Sequence, residues 1–339
     1  MLKEDILSST IIVEDKNLDL TLRPKRFSDF IGQDRIKENL LIYIEAAKKR
    51  GEPLDHILFS GPPGLGKTTL SQIIANEINT AIKTTSGPIL DKPADLAGIL
   101  SNLQQGDILF IDEIHRMNTT VEEYLYSAME DFSIDIIIDQ GPKARSVKIN
   151  LPKFTLIGST TREGLLTAPF RSRFGVLEKL VFYPWTDLYR IVNNSARILS
   201  IQINEKGAEI IAKRSRGTPR ITNRFLRRIR DVAQVRGNDI ITEEVARIGL
   251  EMLGVDENGL GEMDRKILET VIRYGGGPVG IKTIAVSVSE EEDTIEEVYE
   301  SFLIQGGYLD KTPRGRIATK LAYEHLGYKT EAGLQKRLI

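Results

Sequence analysis

Apolar residues fall along this chain in two rhythms. In the first half, continuous or nearly continuous runs (Ile57-Leu58-Phe59, Ile108-Leu109-Phe110-Ile111 and Phe154-Thr155-Leu156-Ile157) alternate with stretches where apolar residues return every three or four positions. Such runs predict strands buried on both faces of a parallel sheet, and Ala81-Ile82-Lys83-Thr84 predicts a further strand. The spaced stretches predict helices: Ile36, Leu40, Ile44 and Ala47 share one face, and Leu70, Ile73, Ile74 and Ile78 share another. Asp91 to Leu103 reads as a helix interrupted at Pro93. Ile134, Ile136, Ile137 and Ile138, the turn Asp139-Gln140-Gly141-Pro142 and then Val147-Lys148-Ile149 read as a β-hairpin inserted between two sheet strands. It is either ordinary core or an exposed apolar edge that docks a partner.

The rhythm changes at Val181-Phe182-Tyr183-Pro184-Trp185. Beyond Thr186 strands vanish and helical spacing runs to about residue 254, including a helix opened by Thr218 and Pro219 with a stripe of Ile221, Phe225, Ile229 and Val232. Residues 255–328 repeat the change. A helix carrying Met263, Ile267, Val271 and Tyr274 ends at Gly275-Gly276-Gly277-Pro278, and a short helix (Ile281 to Val286) follows. A third helix carries Ile295, Val298, Tyr299 and Phe302, and two short strands then flank Lys311-Thr312-Pro313-Arg314-Gly315-Arg316. Three helices and a hairpin with a basic tip describe a winged helix. The predicted organisation is a weakly ordered segment 1–20, an α/β domain 21–184 with the hairpin at 132–150, a helical domain 185–254, a winged helix 255–328 and a tail 329–339.

Composition narrows the setting. The 339 residues contain no cysteine, so disulfides and thiolate metal sites are excluded, and three histidines leave no histidine-rich zinc site. No apolar run approaches a membrane span and the N-terminus has no signal-peptide core, which points to a cytoplasmic protein. The net charge of −2 is uninformative, but its distribution is not: residues 213–236 hold nine Lys/Arg against one Asp, whereas 287–300 hold seven acids and no base. Glu296, Glu297 and Glu300 lie on the expected recognition helix, where phosphates would be repelled, so the tip residues Lys311, Arg314 and Arg316 are expected to touch DNA, chiefly its backbone.

The chemistry is concentrated at Gly61-Pro62-Pro63-Gly64-Leu65-Gly66-Lys67-Thr68, which fits G-x-x-x-x-G-K-[ST] between a predicted strand and helix. Glycines let backbone N–H groups curl around phosphate oxygens, Lys67 reaches the β/γ-phosphates, and the Thr68 hydroxyl ligates Mg²⁺. Asp112 and Glu113 end a buried strand, where such sheets place their ligands; Asp112 can meet the same Mg²⁺ and Glu113 can polarise a water. Thr160 or Thr161, ending another strand, is placed to sense a γ-phosphate. Arg171 and Arg173 are either surface charges or a subunit-edge pair with one reaching a neighbour's nucleotide. Arg220, at a helix start, is aimed at the nucleotide, while the other arginines of that helix read as a solvated or intersubunit face.

In this order the motifs resemble those of the AAA+ ATPases, and the finer matches, including Ile111-Asp112-Glu113-Ile114-His115-Arg116, Thr160-Thr161-Arg162, Gly217-Thr218-Pro219-Arg220 and Thr312-Pro313-Arg314-Gly315-Arg316, resemble the Holliday junction branch-migration ATPases. The resemblance implies homohexameric rings that encircle duplex DNA, hydrolyse ATP with Mg²⁺ and drive four-way junctions in recombination and repair. It implies a junction-binding partner, RuvA, docked on the hairpin through Val147 and Ile149. By the same resemblance Leu22, Arg23 and Tyr183 line the base and sugar side of the nucleotide. Gly61, Gly64, Gly66, Lys67, Thr68 and Thr69 hold its phosphates, and Glu130, Asp131 and Phe132 border the site. Arg173 is the arginine finger and Arg220 the second sensor. Two rival classes are a nucleotide-switched initiator, whose recognition helix should suit base reading, and a clamp loader, which should end in a helical collar.

Overall fold

The computed structural model describes residues 21–137 and 146–328. They fall into two compact units that meet in sequence at Val181 and Phe182. The segments 1–20 and 329–339 and the hairpin turn at 139–142 lie outside the described residues.

In the first unit, helix α1 (Asp34–Arg50) buries Ile36, Leu40, Ile44 and Ala47, the stripe its spacing predicts. Strand β1 (Ile57–Ser60) leads through the glycine loop into α2 (Lys67–Ile78). There follow β2 (Ile82–Ser86), α3 (Pro93–Leu100), β3 (Ile108–Asp112) and α4 (Thr119–Asp131). Pro93 takes the first position of α3, where its missing N–H is harmless, so it starts the helix rather than interrupting one. Strands β4 (Ser133–Ile137) and β5 (Ser146–Asn150) form the predicted antiparallel hairpin. Then come β6 (Thr155–Thr160), the single turn α5 (Ala168–Arg171) and β7 (Val176–Lys179).

Five strands form one parallel sheet in the order β2-β3-β6-β1-β7. Ser60 is opposite Thr160, and Ile111 is opposite Gly158, so β1, β3 and β6 end along one edge. The residues of these runs, Thr155 included, are at most 1% exposed. At the opposite edge His56 acts as a fastener: its Nδ1 accepts the Leu156 N–H at 2.9 Å and its Nε2–H donates to the Met129 carbonyl at 3.1 Å. Burial lowers its pKa, which keeps the imidazole neutral in that bonding pattern.

The second unit begins with α6 (Trp185–Ile198), β8 (Gln202–Ile203), α7 (Glu205–Arg214), α8 (Pro219–Arg236), β9 (Ile240–Ile241) and α9 (Glu243–Met252). Strands do not vanish here as the pattern suggested; β8 and β9 make a two-residue parallel pair too short for any sequence period to register. The buried face of α8 is Thr222, Phe225, Leu226, Arg227, Ile229 and Ala233, so Arg227 belongs to the packed side rather than to a solvated face. Next are α10 (Glu262–Arg273), α11 (Ile281–Val288) and α12 (Glu292–Thr294), which passes through a π turn, Ile295–Glu300, into α13 (Ser301–Gln305). The wing is β10 (Leu309–Thr312) and β11 (Gly315–Ala318), followed by α14 (Lys320–His325). Arg316 bonds through its backbone to Val279 in both directions, at 2.8 and 2.9 Å, which adds a one-residue third strand to the wing.

Candidate functional site

Three glycines of the loop after β1 have positive φ: Gly61 at 129°, Gly64 at 79° and Gly66 at 106°. At Gly61 a Cβ would lie 2.5 Å from the Leu180 carbonyl oxygen, so only glycine fits there. The loop is tied to the sheet by the Gly61 N–H, which donates to the Thr160 carbonyl at 3.2 Å. Lys67, buried at the start of α2, donates to the carbonyls of Gly61 at 2.6 Å and Pro62 at 2.8 Å. Thr68 and Thr69 follow it on the first turn of α2.

Along the same strand edge lie the carboxylates. Asp112 Oδ1 accepts the Ser159 hydroxyl and the Glu113 N–H, the latter at 3.0 Å. Ser159 directly precedes the two threonines at the hydroxyl-bearing end of β6, and its pairing with Asp112 leaves no local trace in sequence. Glu113 adopts a left-handed conformation, φ 48°, which turns its side chain out of the strand line, and its carboxylate pairs with Arg116 at 3.0 Å. Thr160 Oγ1 is engaged by the Arg162 N–H at 2.9 Å and lies 3.0 Å from His115 Nδ1. Burial, with smaller contributions from Arg162, Arg116 and Lys67, lowers the His115 pKa against the opposing pull of Glu113. Thr161 Oγ1 is buried and has no hydrogen-bond partner among the described residues.

Arg173 lies elsewhere. It precedes β7, and the N–H of Val176 at the start of that strand donates to the carbonyl of His56, immediately before β1. A four-residue strand at roughly 3.3 Å per residue therefore separates its end of the sheet from Gly61, on the order of 13 Å. Its guanidinium is held by the Pro169 carbonyl at 2.7 Å, by Glu130 at 3.1 Å and over the Tyr126 ring at 4.7 Å. Glu130, Asp131 and Phe132 close α4 beside the His56 fastener, with Phe132 edge-on to Phe154. They belong to the Arg173 end of the sheet, so the expectation that they border a nucleotide cannot apply to the loop of the same subunit. On the hairpin, Val147 is exposed, whereas Ile149 opposes buried Ile134 and packs against the core, so the two are not equivalent anchors. Leu22 is buried and Arg23 half-buried in the first unit.

The remaining expected residues belong to the second unit. Tyr183 is buried and its N–H donates to the Gly217 carbonyl at 2.9 Å. Arg220 is the second residue of α8 and half-buried. Thr218 holds the N-cap position of α8, but its hydroxyl donates to the Arg216 carbonyl at 3.2 Å instead of capping the helix.

The wing departs from expectation at one residue. Arg314 is exposed at the tip, and Lys311 is half-exposed. Arg316 is not at the surface: its side chain is 8% exposed and forms ion pairs with Glu300 at 2.6 Å and Glu296 at 2.7 Å. Lys311, directly across the hairpin from Arg316, reaches Glu300 at 2.8 Å. Two like charges placed opposite each other would repel; here both carboxylates sit between them. Burial opposes the charged form of Glu296, yet hydrogen bonds from Arg316 and the charge of Lys311 outweigh it and lower its pKa. The charge at the tip had suggested a DNA contact, but the acidic helix draws the Arg316 guanidinium inward.

A phosphate loop, an Asp-Glu strand end and a hydroxyl-bearing strand share one edge of this parallel sheet, with helices and a winged helix following. These features define an AAA+ P-loop ATPase with a helical lid and a C-terminal winged helix. The chain belongs to the RuvB family. Residues 22–180 match the Holliday junction DNA helicase RuvB P-loop domain, 183–256 the RuvB AAA lid domain and 257–327 the RuvB C-terminal winged helix domain. The chain is 57% identical over 324 residues to the Holliday junction branch migration complex subunit RuvB of Myxococcus xanthus, covering 95% of this chain and 94% of that one. Among solved structures, the Thermotoga maritima RuvB Holliday junction branch migration motor is similar with a TM-score of 0.85 and 51% identity, covering 92% of this chain and all of that one. A substituted form of the same protein gives 0.86 and 51%, covering 91% and 99%.

Proposed function

We propose that the chain is the ATP-driven motor of Holliday junction branch migration, working as a homohexameric ring on duplex DNA with RuvA in recombination and repair in the cytoplasm. One observation carries the ring: Arg173 stands at the end of the sheet away from its own phosphate loop, so a complete site needs Arg173, and with it Glu130 to Phe132, from a neighbour.

In that site Lys67 exchanges its two loop carbonyls for phosphate oxygens, while Leu22, Arg23 and Tyr183 hold the base and sugar side. Thr68 and Asp112 suit Mg²⁺, which takes one or two protein oxygens and completes its shell with phosphates and water. When bound, the ion screens the charge on the transferring phosphoryl group. Ser159 and the Glu113 N–H fix the Asp112 carboxylate. Glu113 leaves Arg116 and accepts a hydrogen bond from the attacking water. Thr161, with its buried hydroxyl still unmatched, is better suited than Thr160 to meet the γ-phosphate. Arg220 reports phosphate loss to the lid, and Arg314 with Lys311 grips the DNA backbone. Val147 is the principal RuvA anchor, with Ile149 contributing at its base.

Mixed rings test the reading. Arg173→Ala and Glu113→Gln subunits are each expected to be inactive, yet together to recover part of the RuvA- and junction-stimulated ATPase, because a Glu113→Gln subunit lends its finger to an Arg173→Ala neighbour. Absence of recovery in rings shown to contain both subunits refutes the shared site.

A further inference from the structure

One buried ion pair in the second unit lies outside the residues assigned above to nucleotide and DNA binding. Arg216 sits in a left-handed turn, φ 56°, immediately before Gly217-Thr218-Pro219-Arg220. Its Nη2 donates to Asp264 Oδ1 at 2.9 Å, with the two side chains 2% and 0% exposed. The guanidinium carbon lies 4.0 Å from the centre of the Phe302 ring. Asp264 belongs to α10, where its other oxygen accepts the Gly261 N–H at 2.8 Å, and Phe302 belongs to α13. Arg216 therefore reaches from the segment that carries Arg220 into two helices of the winged helix.

The pair is costly to maintain. Arg216 Nε and Nη1 are buried without hydrogen-bond partners among the described residues, and a buried cation so poorly matched is not explained by local stability. Its connections offer a better account. Thr218 bonds to the Arg216 carbonyl, and the adjacent Gly217 carbonyl receives the Tyr183 N–H. On the other side, the stretch before α10 is stiffened by Arg265, which donates to the Gly254 and Leu260 carbonyls at 3.0 and 2.9 Å.

We propose that Arg216 is the coupling residue of the motor: through Asp264 and Phe302 it locks the Arg220-bearing segment to the winged helix, so that a nucleotide-dependent shift of that segment is delivered to DNA. The proposal rests on the motor reading above. An ion pair stacked on an aromatic face resists both sliding and tilting, which a linker alone does not.

The double substitution Arg216→Met/Asp264→Asn removes both charges at similar volume and keeps an acceptor for Gly261, while Phe302→Leu removes only the stacking face. Rings assembled with RuvA on a synthetic four-way junction are assayed for ATP consumed and for junctions dissociated. The double variant is expected to retain junction-stimulated hydrolysis within about twofold and to lose about tenfold in junctions dissociated per ATP, with Phe302→Leu intermediate. An unchanged ratio, or hydrolysis and dissociation falling in proportion, overturns the coupling role. If the double variant does not fold, the ratio measured for Phe302→Leu decides in the same way. Failure of the parent chain to dissociate junctions would instead overturn the motor reading.

Discussion

Replacing Arg316 with methionine separates a structural arginine from a DNA-binding one. The substitution leaves Glu300, 4% exposed, without its main partner. Breaking a buried pair from one side costs about 3–5 kcal/mol. Lys311 remains 2.8 Å from the other Glu300 oxygen, and the backbone bonds to Val279 survive, so the lower end, about 3 kcal/mol, is expected. With a urea slope of about 2 kcal/mol per molar, the unfolding midpoint should fall by about 1.5 M. The single tryptophan, Trp185, lies in the same compact unit as the wing and reports the transition by fluorescence. Arg314→Ala, at an exposed tip, should leave the stability within about 0.5 kcal/mol of the parent, a midpoint shift of at most about 0.25 M. DNA binding should divide the two the other way: Arg314→Ala lowers the slope of log affinity against log salt by about 0.9, and Arg316→Met leaves it unchanged. An unaltered urea midpoint for Arg316→Met together with a reduced salt slope would refute the buried assignment.

The same network has a pH signature. Glu296 has a folded pKa below its ordinary value, so its contribution is complete above the unfolded carboxylate pKa and disappears as pH falls through the folded one. Urea midpoints should therefore drop more steeply on acidification in the parent than in Glu296→Gln; parallel curves would remove Glu296 from the network. Gly61→Ala forces a Cβ within 2.5 Å of the Leu180 carbonyl at a φ of 129°, so the loop must shift. The strain is on the order of 1–3 kcal/mol, and titration with a fluorescent nucleotide should show at least tenfold weaker binding; an unchanged affinity would mean that the loop tolerates the movement.

Much of the first unit was legible in the sequence for a definite reason. Strands such as Ile108-Leu109-Phe110-Ile111 are buried on both faces, so their composition alone marks them, and the motif glycines and acids lie next to them in sequence. What was missed depends on contacts between distant positions. Arg173 meets Glu130 across 43 residues, and Arg316 meets Glu300 across 16; no local period encodes either pairing. Arg316 looked exposed because a charged hairpin tip usually is, and Arg227 looked solvated because its helix is rich in arginine. The α8 stripe was displaced because Ile221 and Val232 are only half-buried, while Thr222 and Ala233 face the interior. Arg216 escaped notice altogether, since nothing in a run of basic residues distinguishes the one that turns inward.

Lys67, Glu113 and Arg173 each already hold a partner within this chain: loop carbonyls, Arg116 and Glu130 respectively. In the proposed ring, engaging ATP or an adjacent subunit is thus a substitution of one companion for another, and the net gain at each grip is smaller than the bare attraction. A machine that must let go thousands of times benefits from weak holds, because a charge with somewhere to return is easily released from a spent product.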